Sequence, residues 1–228
     1  HGLLDMAWCR SIPNVSVVAP RDEADLNFFF SQGFSQGGPV LVRYPRGNAP
    51  VRLARKEGES PLPWGKGEVL KKGEETVLIG IGSTLPLALE VRQACADQKL
   101  PLPGVVDLRF VKPLDEELLR FLGDRYQKVV VLEEGNLAGG LGELLGSFFH
   151  RENPLCAVVS LGVPDRFVPQ GTRQEQWEKC GLTVQRVVEC IRGEEKERAA
   201  RYSADLQKTG RIKEQGEGAH SGGKSFRG

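Results

Sequence analysis

The sequence is poor in the residues that most often announce chemistry. Its three histidines, His1, His150 and His220, lie far apart in the chain, so spacing brings no histidine cluster together for a metal or a nucleophile. The five cysteines (Cys9, Cys95, Cys156, Cys180, Cys190) include no C-x-x-C pair, which removes zinc ribbons and dithiol redox motifs. They read as buried or incidental thiols of a reducing compartment, and a cytoplasmic location is expected. No serine stands in a G-x-S-x-G elbow, which argues against a serine hydrolase. Apolar runs such as Val129 to Leu132 and Thr76 to Ile81 fall far short of the roughly 20 residues of a membrane helix, so no membrane partner is expected. Charge is lacking in the net: 31 basic against 30 acidic residues leave +1, with no overall field to draw nucleic acid or an anionic surface. Methionine is almost absent, and the opening His1-Gly2-Leu3-Leu4-Asp5 precedes the single Met6 without a basic and apolar targeting pattern. We therefore expect a fragment of a longer protein.

What is present is ordinary globular material. With 228 residues, 39% hydrophobic and 27% charged, the chain can build one or two domains around a sizeable core. Val15 to Ala19 is a β-branched run ended by Pro20, and Asp22-Glu23-Ala24-Asp25 places acidic residues where a helix amino terminus favours them. That helix should end near Gly33 or Gly37, before a second strand from Pro39 to Tyr44 that Pro45 and Gly47 stop. A polar, proline-rich stretch from Asn48 to Gly67 has linker composition.

Beyond it, strand-like runs at Val69–Lys71, Thr76–Ile81, Val105–Leu108, Val129–Leu132 and Ala157–Leu161 alternate with helical stretches. Those are about Leu85–Gln98, Asp115–Leu122, Leu141–Arg151 and Arg173–Ile191, the last broken at Gly181. Near-continuous apolar strands alternating with helices predict an α/β domain with an open, mostly parallel sheet and helices on both faces. After Gly193 the chain turns charged and then rich in Gly, Ser and Lys, too polar to offset its ordering entropy, and a disordered tail is expected.

Three loops could carry chemistry. In Arg43-Tyr44-Pro45-Arg46-Gly47 an apolar strand ends in two arginines, where ligands of open α/β sheets bind and a guanidinium fork suits a phosphate or carboxylate; the alternative is a solvated arginine at a strand end. Gly80-Ile81-Gly82-Ser83-Thr84 could cradle an anion or be a plain turn and helix cap. Glu133-Glu134-Gly135-Asn136, read as the loop after a strand, offers two carboxylates that could share a proton in acid-base work, cap a helix or line a subunit interface.

Four stretches carry a resemblance: Asp5–Asp22 (DMAWCRSIPNVSVVAPRD), Val42–Asn48 (VRYPRGN), Asp107–Asp115 (DLRFVKPLD) and Gly162–Thr172 (GVPDRFVPQGT). Their order and spacing resemble the 1-deoxy-D-xylulose-5-phosphate synthase family from His1 to about Ile191. The resemblance implies the end of a transketolase-like pyrimidine-binding domain (1–49), a linker (50–67), a transketolase C-terminal domain (68–192) and the tail (193–228). It also implies an activity. The family condenses pyruvate, after decarboxylation on thiamine diphosphate and Mg²⁺, with D-glyceraldehyde 3-phosphate, in the route to isoprenoids, thiamine and pyridoxal, and a homodimer is expected.

By the same resemblance Arg46 matches the arginine that holds the aldehyde's phosphate, with Tyr44 and Asp5 as candidate supporting residues. His1 is not the family's catalytic histidine: in the pattern T-H-x-G-x-x-D, Gly2 and Asp5 place it at the variable position after that residue. No catalytic residue is retained. Arg21 stands where Ser or Thr is common, which leaves the cap of the following helix open. The glutamate, the stacking aromatic and the G-D-G…N motif that hold thiamine diphosphate and Mg²⁺ in the family are not in this sequence, so the fragment alone is expected to bind neither and to be inactive. Transketolase and the beta subunit of a 2-oxo acid dehydrogenase share the fold without the Y-P-R-G-N and F-V-K-P-L-D pairing. A non-catalytic assembly or regulatory module is the alternative from another class.

Overall fold

The near-continuous apolar runs become the strands of two sheets. The computed structural model describes residues 2–45 and 63–193. The expectations for His1, Arg46, most of the linker and the tail after Gly193 fall outside the described residues.

The larger sheet has five strands, β3 (Glu68–Lys71), β4 (Thr76–Gly80), β5 (Gly104–Asp107), β7 (Lys128–Asn136) and β8 (Ala157–Val163), in the order β3-β5-β4-β7-β8. All neighbours are parallel except the edge pair β3 and β5. The smaller sheet has three, β1 (Ser16–Val18), β2 (Val40–Val42) and β6 (Phe110–Lys112), in the order β2-β1-β6. Here β1 is parallel to β2 and antiparallel to β6, with Val18 opposite Phe110. A strand that follows β5 directly thus joins the sheet begun by the first residues of the chain. The described residues as far as Arg192 form one compact unit.

Alternation along the central strands explains why both faces need cover. Val77, Ile79, Val129 and Val131 pack with Leu119 and Leu122 of α4 (Glu116–Arg125) and with Leu145, Phe148 and Phe149 of α5 (Leu141–Glu152). On the other face Leu78, Val130 and Leu132 pack with Ala88 and Val91 of α3 (Leu85–Asp97) and with Val187 and Val188 of α7 (Val184–Arg192). Each fully buried Val, Leu or Phe contributes roughly 1.5–3 kcal/mol over its exposed state. Two further helices, α1 (Asp5–Ser11) and α2 (Glu23–Gly33), lie before the polar stretch. Among the described residues no helix is long and apolar enough to cross a membrane.

Local chemistry sets the helix ends. Asp22 accepts a hydrogen bond from Asp25 N at 2.9 Å and caps α2, so the cap left open at Arg21 is supplied one residue later. Asp115 caps α4 by accepting from Leu118 N. Thr172 and Glu175 form a reciprocal capping box on the helix α6 (Arg173–Cys180). The expected break at Gly181 is there, with φ +78° and Leu182 N donating back to Trp177 O, so one predicted helix is two.

Three elements differ from expectation. Helix α1 escapes the sequence pattern, because it exposes Trp8, buries only Met6 and is flanked by the exposed Leu4 and Ile12, which blurs the helical period. Strand β6 hides in the turn after β5. Strand β7 continues through Asn136, so Glu133 and Glu134 lie on the strand and not in the loop after it.

Candidate functional site

The carboxyl ends of β2, β4 and β7 come together, and Arg43, Ser83 and Glu134, one from each of the three segments singled out by sequence, meet there. Glu134 of β7 is the centre. One carboxylate oxygen accepts from Arg43 at 2.9 Å and from the Ser83 hydroxyl at 2.6 Å; the other accepts from Arg173 Nε at 2.7 Å and Trp177 Nε1 at 2.9 Å. The second Arg173 nitrogen also approaches Glu134, at 3.2 Å, and its guanidinium lies over the Trp177 ring at 4.4 Å. Arg43 makes a further bond to the Glu134 backbone carbonyl at 3.0 Å. Burial works to raise the Glu134 pKa, but the hydrogen bonds from Ser83 and Arg173 and the charge of Arg43 outweigh it and hold the carboxyl below its usual range.

This arrangement decides among the open readings. Arg43 is not one half of a phosphate fork: its guanidinium is mostly buried against Glu134 and ties the end of β2 to β7. The Gly80–Thr84 segment is a turn and cap, because Ser83 is spent on Glu134 while the Thr84 hydroxyl donates to Leu132 O at 2.7 Å and accepts from Ile81 N at 3.0 Å.

Nor do the adjacent carboxylates share a proton. Glu133 accepts from the Leu141 and Gly142 amides at 2.8 and 2.9 Å, at the amino terminus of α5. Burial nevertheless pushes its pKa up to about 7, against those two backbone donors.

The opening segment reaches the same strand end. Leu3 O accepts from Asn136 N at 3.1 Å, and Arg10 Nε donates to Gly139 O at 2.7 Å. Asp5 is engaged locally, accepting from Met6 N at 2.8 Å, and Tyr44 is exposed. Sequence reading missed Arg173 and Trp177, whose only signal was their place just after the GVPDRFVPQGT stretch.

A second polar cluster lies where the two sheets meet. Arg21 is buried against Asp107 at 3.4 Å and Glu68 at 2.7 Å, while Arg109, fully buried, reaches back to Asp25 at 3.4 Å. Phe28, Phe29 and Phe110 surround the Arg109 guanidinium. Burial, and then the neighbouring Asp25, raise the Asp107 pKa to about 7, opposed by Arg21 and Arg109. Each arginine crosses between the segment before the polar stretch and the domain after it. This is a structural clasp.

The family described as transketolase, C-terminal domain, matches residues 65–187, and the chain belongs to that family. Curated relatives include the 1-deoxy-D-xylulose-5-phosphate synthase of Rippkaea orientalis, 40% identical over 192 residues, which cover 84% of this chain and 30% of the relative. That of Vibrio parahaemolyticus is 40% identical over 191 residues, with the same coverage. This chain therefore spans about a third of the length of such relatives. Among solved structures, a split gene transketolase described as an inactive beta4 tetramer superposes with TM-score 0.73 at 29% identity, over 84% of this chain and 60% of that one. The transketolase of Campylobacter jejuni, with TM-score 0.64 at 19% identity over 84% of this chain and 28% of that one, shares the fold.

Among the described residues the donor set does not suit a metal-bound diphosphate. Among the described residues no group of three His, Cys, Asp or Glu side chains could hold a metal ion. The buried carboxylates are already engaged, Glu134 by two arginines, Glu133 by backbone amides, and Asp25 and Asp107 by Arg109 and Arg21.

Proposed function

We propose that this chain is the carboxy-terminal part of a 1-deoxy-D-xylulose-5-phosphate synthase, which joins pyruvate, with loss of CO₂, to D-glyceraldehyde 3-phosphate. The observation that carries the reading is the pinned end of β2. The family's VRYPRGN stretch leaves that strand at a point where Arg43 is fixed by Glu134, beyond the carboxyl ends of parallel strands where ligands of such sheets bind. Arg46, three residues on, supplies the cation for the aldehyde's phosphate, with Tyr44 and Asp5 in support. Thiamine diphosphate and Mg²⁺ are held by residues outside this sequence, so the chain alone binds neither and turns nothing over.

The split transketolase whose printed description is an inactive tetramer supports inactivity of such a piece and its association with further copies. A homodimer in the reducing cytoplasm fits the five free cysteines. The test is a chimera in which residues 2–192 replace the matching part of the Rippkaea orientalis enzyme. Formation of 1-deoxy-D-xylulose 5-phosphate is the expected result. Ketol transfer from a ketose phosphate donor, without pyruvate decarboxylation, would assign the chain to a transketolase instead.

A further inference from the structure

Glu133 is a buried carboxylate enclosed by glycines. A Cβ added at Gly140 would stand 2.6 Å from its Oε2, one at Gly142 3.0 Å from its Oε1 and one at Gly162 2.8 Å from its Cγ. The loop after β7, α5 and β8 therefore close on it with backbone, and the Leu141 and Gly142 amides bind its two oxygens.

The opening segment covers it. A Cβ added at Gly135 would lie 3.2 Å from Met6 Cε, 3.5 Å from Glu133 Oε2 and 3.6 Å from Leu3 O, so α1 and the residue two before it stand against the carboxylate. Their polar hold on the strand end is slight: Asn136 N donates to Leu3 O at 3.1 Å, and Arg10 Nε donates to Gly139 O at 2.7 Å. Within the loop Gly140 N donates to Leu137 O at 3.1 Å, and Gly139 N donates to the exposed Glu143 at 2.9 Å. Helix α1 itself buries only Met6. Few buried apolar contacts mark a unit that opens ahead of the rest of a fold.

The charges that face Glu133 from these elements are Arg10 on α1, which favours the ionised form, and Glu143 on α5, which opposes it. Asp5 on α1 is engaged with Met6 N, β8 has no charged side chain, and Glu134 is bound on the other face of the sheet. Burial outweighs Arg10 and the two amides and holds the pKa of the covered carboxyl at about 7. Exposed to water the same group titrates near 4.5, so wetting Glu133 releases a proton. Low pH therefore favours the closed state, and opening gains about tenfold per pH unit between about 4.5 and 7 before it levels off. We propose that α1 and the loop Leu137–Gly140 form a lid over Glu133 that opens as pH rises, admitting water to the ionised carboxylate and releasing the opening segment from the end of β7. Such a lid does not depend on which reaction the complete protein carries out.

Amide hydrogen exchange of the 228-residue chain, corrected for the intrinsic pH dependence of exchange, tests it. The Asn136 and Gly140 amides should be less protected than those of Val129 and Val131 in the core of β7. From about pH 5 to 7 their opening constant should rise about tenfold per unit, then level off. In Glu133→Gln, which cannot ionise, it should stay flat over that range. Lid amides as protected as those of the core strand at every pH overturn the proposal, because nothing then opens short of global unfolding. A pH dependence that survives in Glu133→Gln overturns it as well, since it belongs to another group. Should Glu133→Gln fail to fold, the carboxyl ¹³C shift of Glu133 in the parent chain decides: a midpoint near 7 supports the lid, and one near 4.5 overturns it.

Discussion

Glu133 and Glu134 are neighbours on one strand whose carboxylates are bound on opposite faces of the sheet, one by the amides that open α5 and the other by Arg43, Ser83, Arg173 and Trp177. Their acid-base behaviour diverges accordingly. Glu133 is pushed up to about 7 by burial, whereas Glu134 is held low by its cationic and hydroxyl partners.

The two therefore act on stability with opposite signs in different pH windows. A carboxyl whose folded pKa is raised keeps its proton when the unfolded chain has lost it. Its contribution is fully present below about 4.5 and is lost as pH rises to about 7, on the order of 3 kcal/mol for a shift of that size. Glu134 instead contributes stability above the usual carboxylate range and loses it as pH falls through its depressed pKa. Denaturant unfolding of the chain and of Glu133→Gln between pH 4.5 and 7 should show the difference in stability shrinking as pH rises. A difference independent of pH would place the Glu133 pKa near its ordinary value.

The loop after β7 contains two adjacent glycines that are needed for different reasons. Gly139 has φ +70° with open space where a side chain would stand, so only its backbone conformation is demanding. Gly140 has an ordinary φ, but a methyl group there would meet the Asn136 carbonyl and come within 2.6 Å of a Glu133 oxygen. Gly139→Asn should cost less than about 1 kcal/mol, since Asn tolerates the left-handed region. Gly140→Ala should cost about 1–3 kcal/mol by overpacking. Urea unfolding of the two variants checks the order.

Breaking the clasp between the sheets should be far more damaging than its surface equivalents. Arg109→Ala takes one arginine from the buried Asp25, with Arg21 left at 3.7 Å, and removes a cation from among three aromatic rings, an expected loss of about 3–5 kcal/mol. Arg120→Ala removes solvent-facing pairs with Glu116 and Glu152 and should leave the unfolding temperature close to that of the parent chain. Thermal unfolding of both in one buffer makes the comparison, and similar losses would show that the buried cluster adds nothing beyond a surface pair.

The large sheet was legible because its strands are buried on both faces and so appear as unbroken apolar runs, from Thr76 to Ile81 and Val129 to Leu132. What was not legible depended on distant partners. The sequence of β7 turns polar at Glu133 and looks like a loop, since nothing local shows that Arg43 lies 91 residues away in the chain and Leu141 opens a helix below it. Strand β6 is only three residues long, and its pairing with β1 spans most of the upstream chain. Arg43 and Arg46 looked equivalent at the strand end. The position of Glu134 marks Arg43 as structural, whereas Arg46 is singled out by the family resemblance alone, and charge pairs of that kind leave no periodic trace.

That separation gives the last prediction. If Arg43 is committed to Glu134, the phosphate of D-glyceraldehyde 3-phosphate depends on Arg46, and removing its guanidinium forfeits a charge-assisted contact worth about 1.5–3 kcal/mol. In the complete enzyme Arg46→Ala should raise KM for D-glyceraldehyde 3-phosphate by about tenfold to a hundredfold. Pyruvate carries no phosphate, so its KM should move far less. Arg46→Lys should fall between the two, because an ammonium keeps the charge but not the fork. Steady-state kinetics with each substrate varied in turn decide the matter, and equal rises in both KM values would remove Arg46 from the phosphate site.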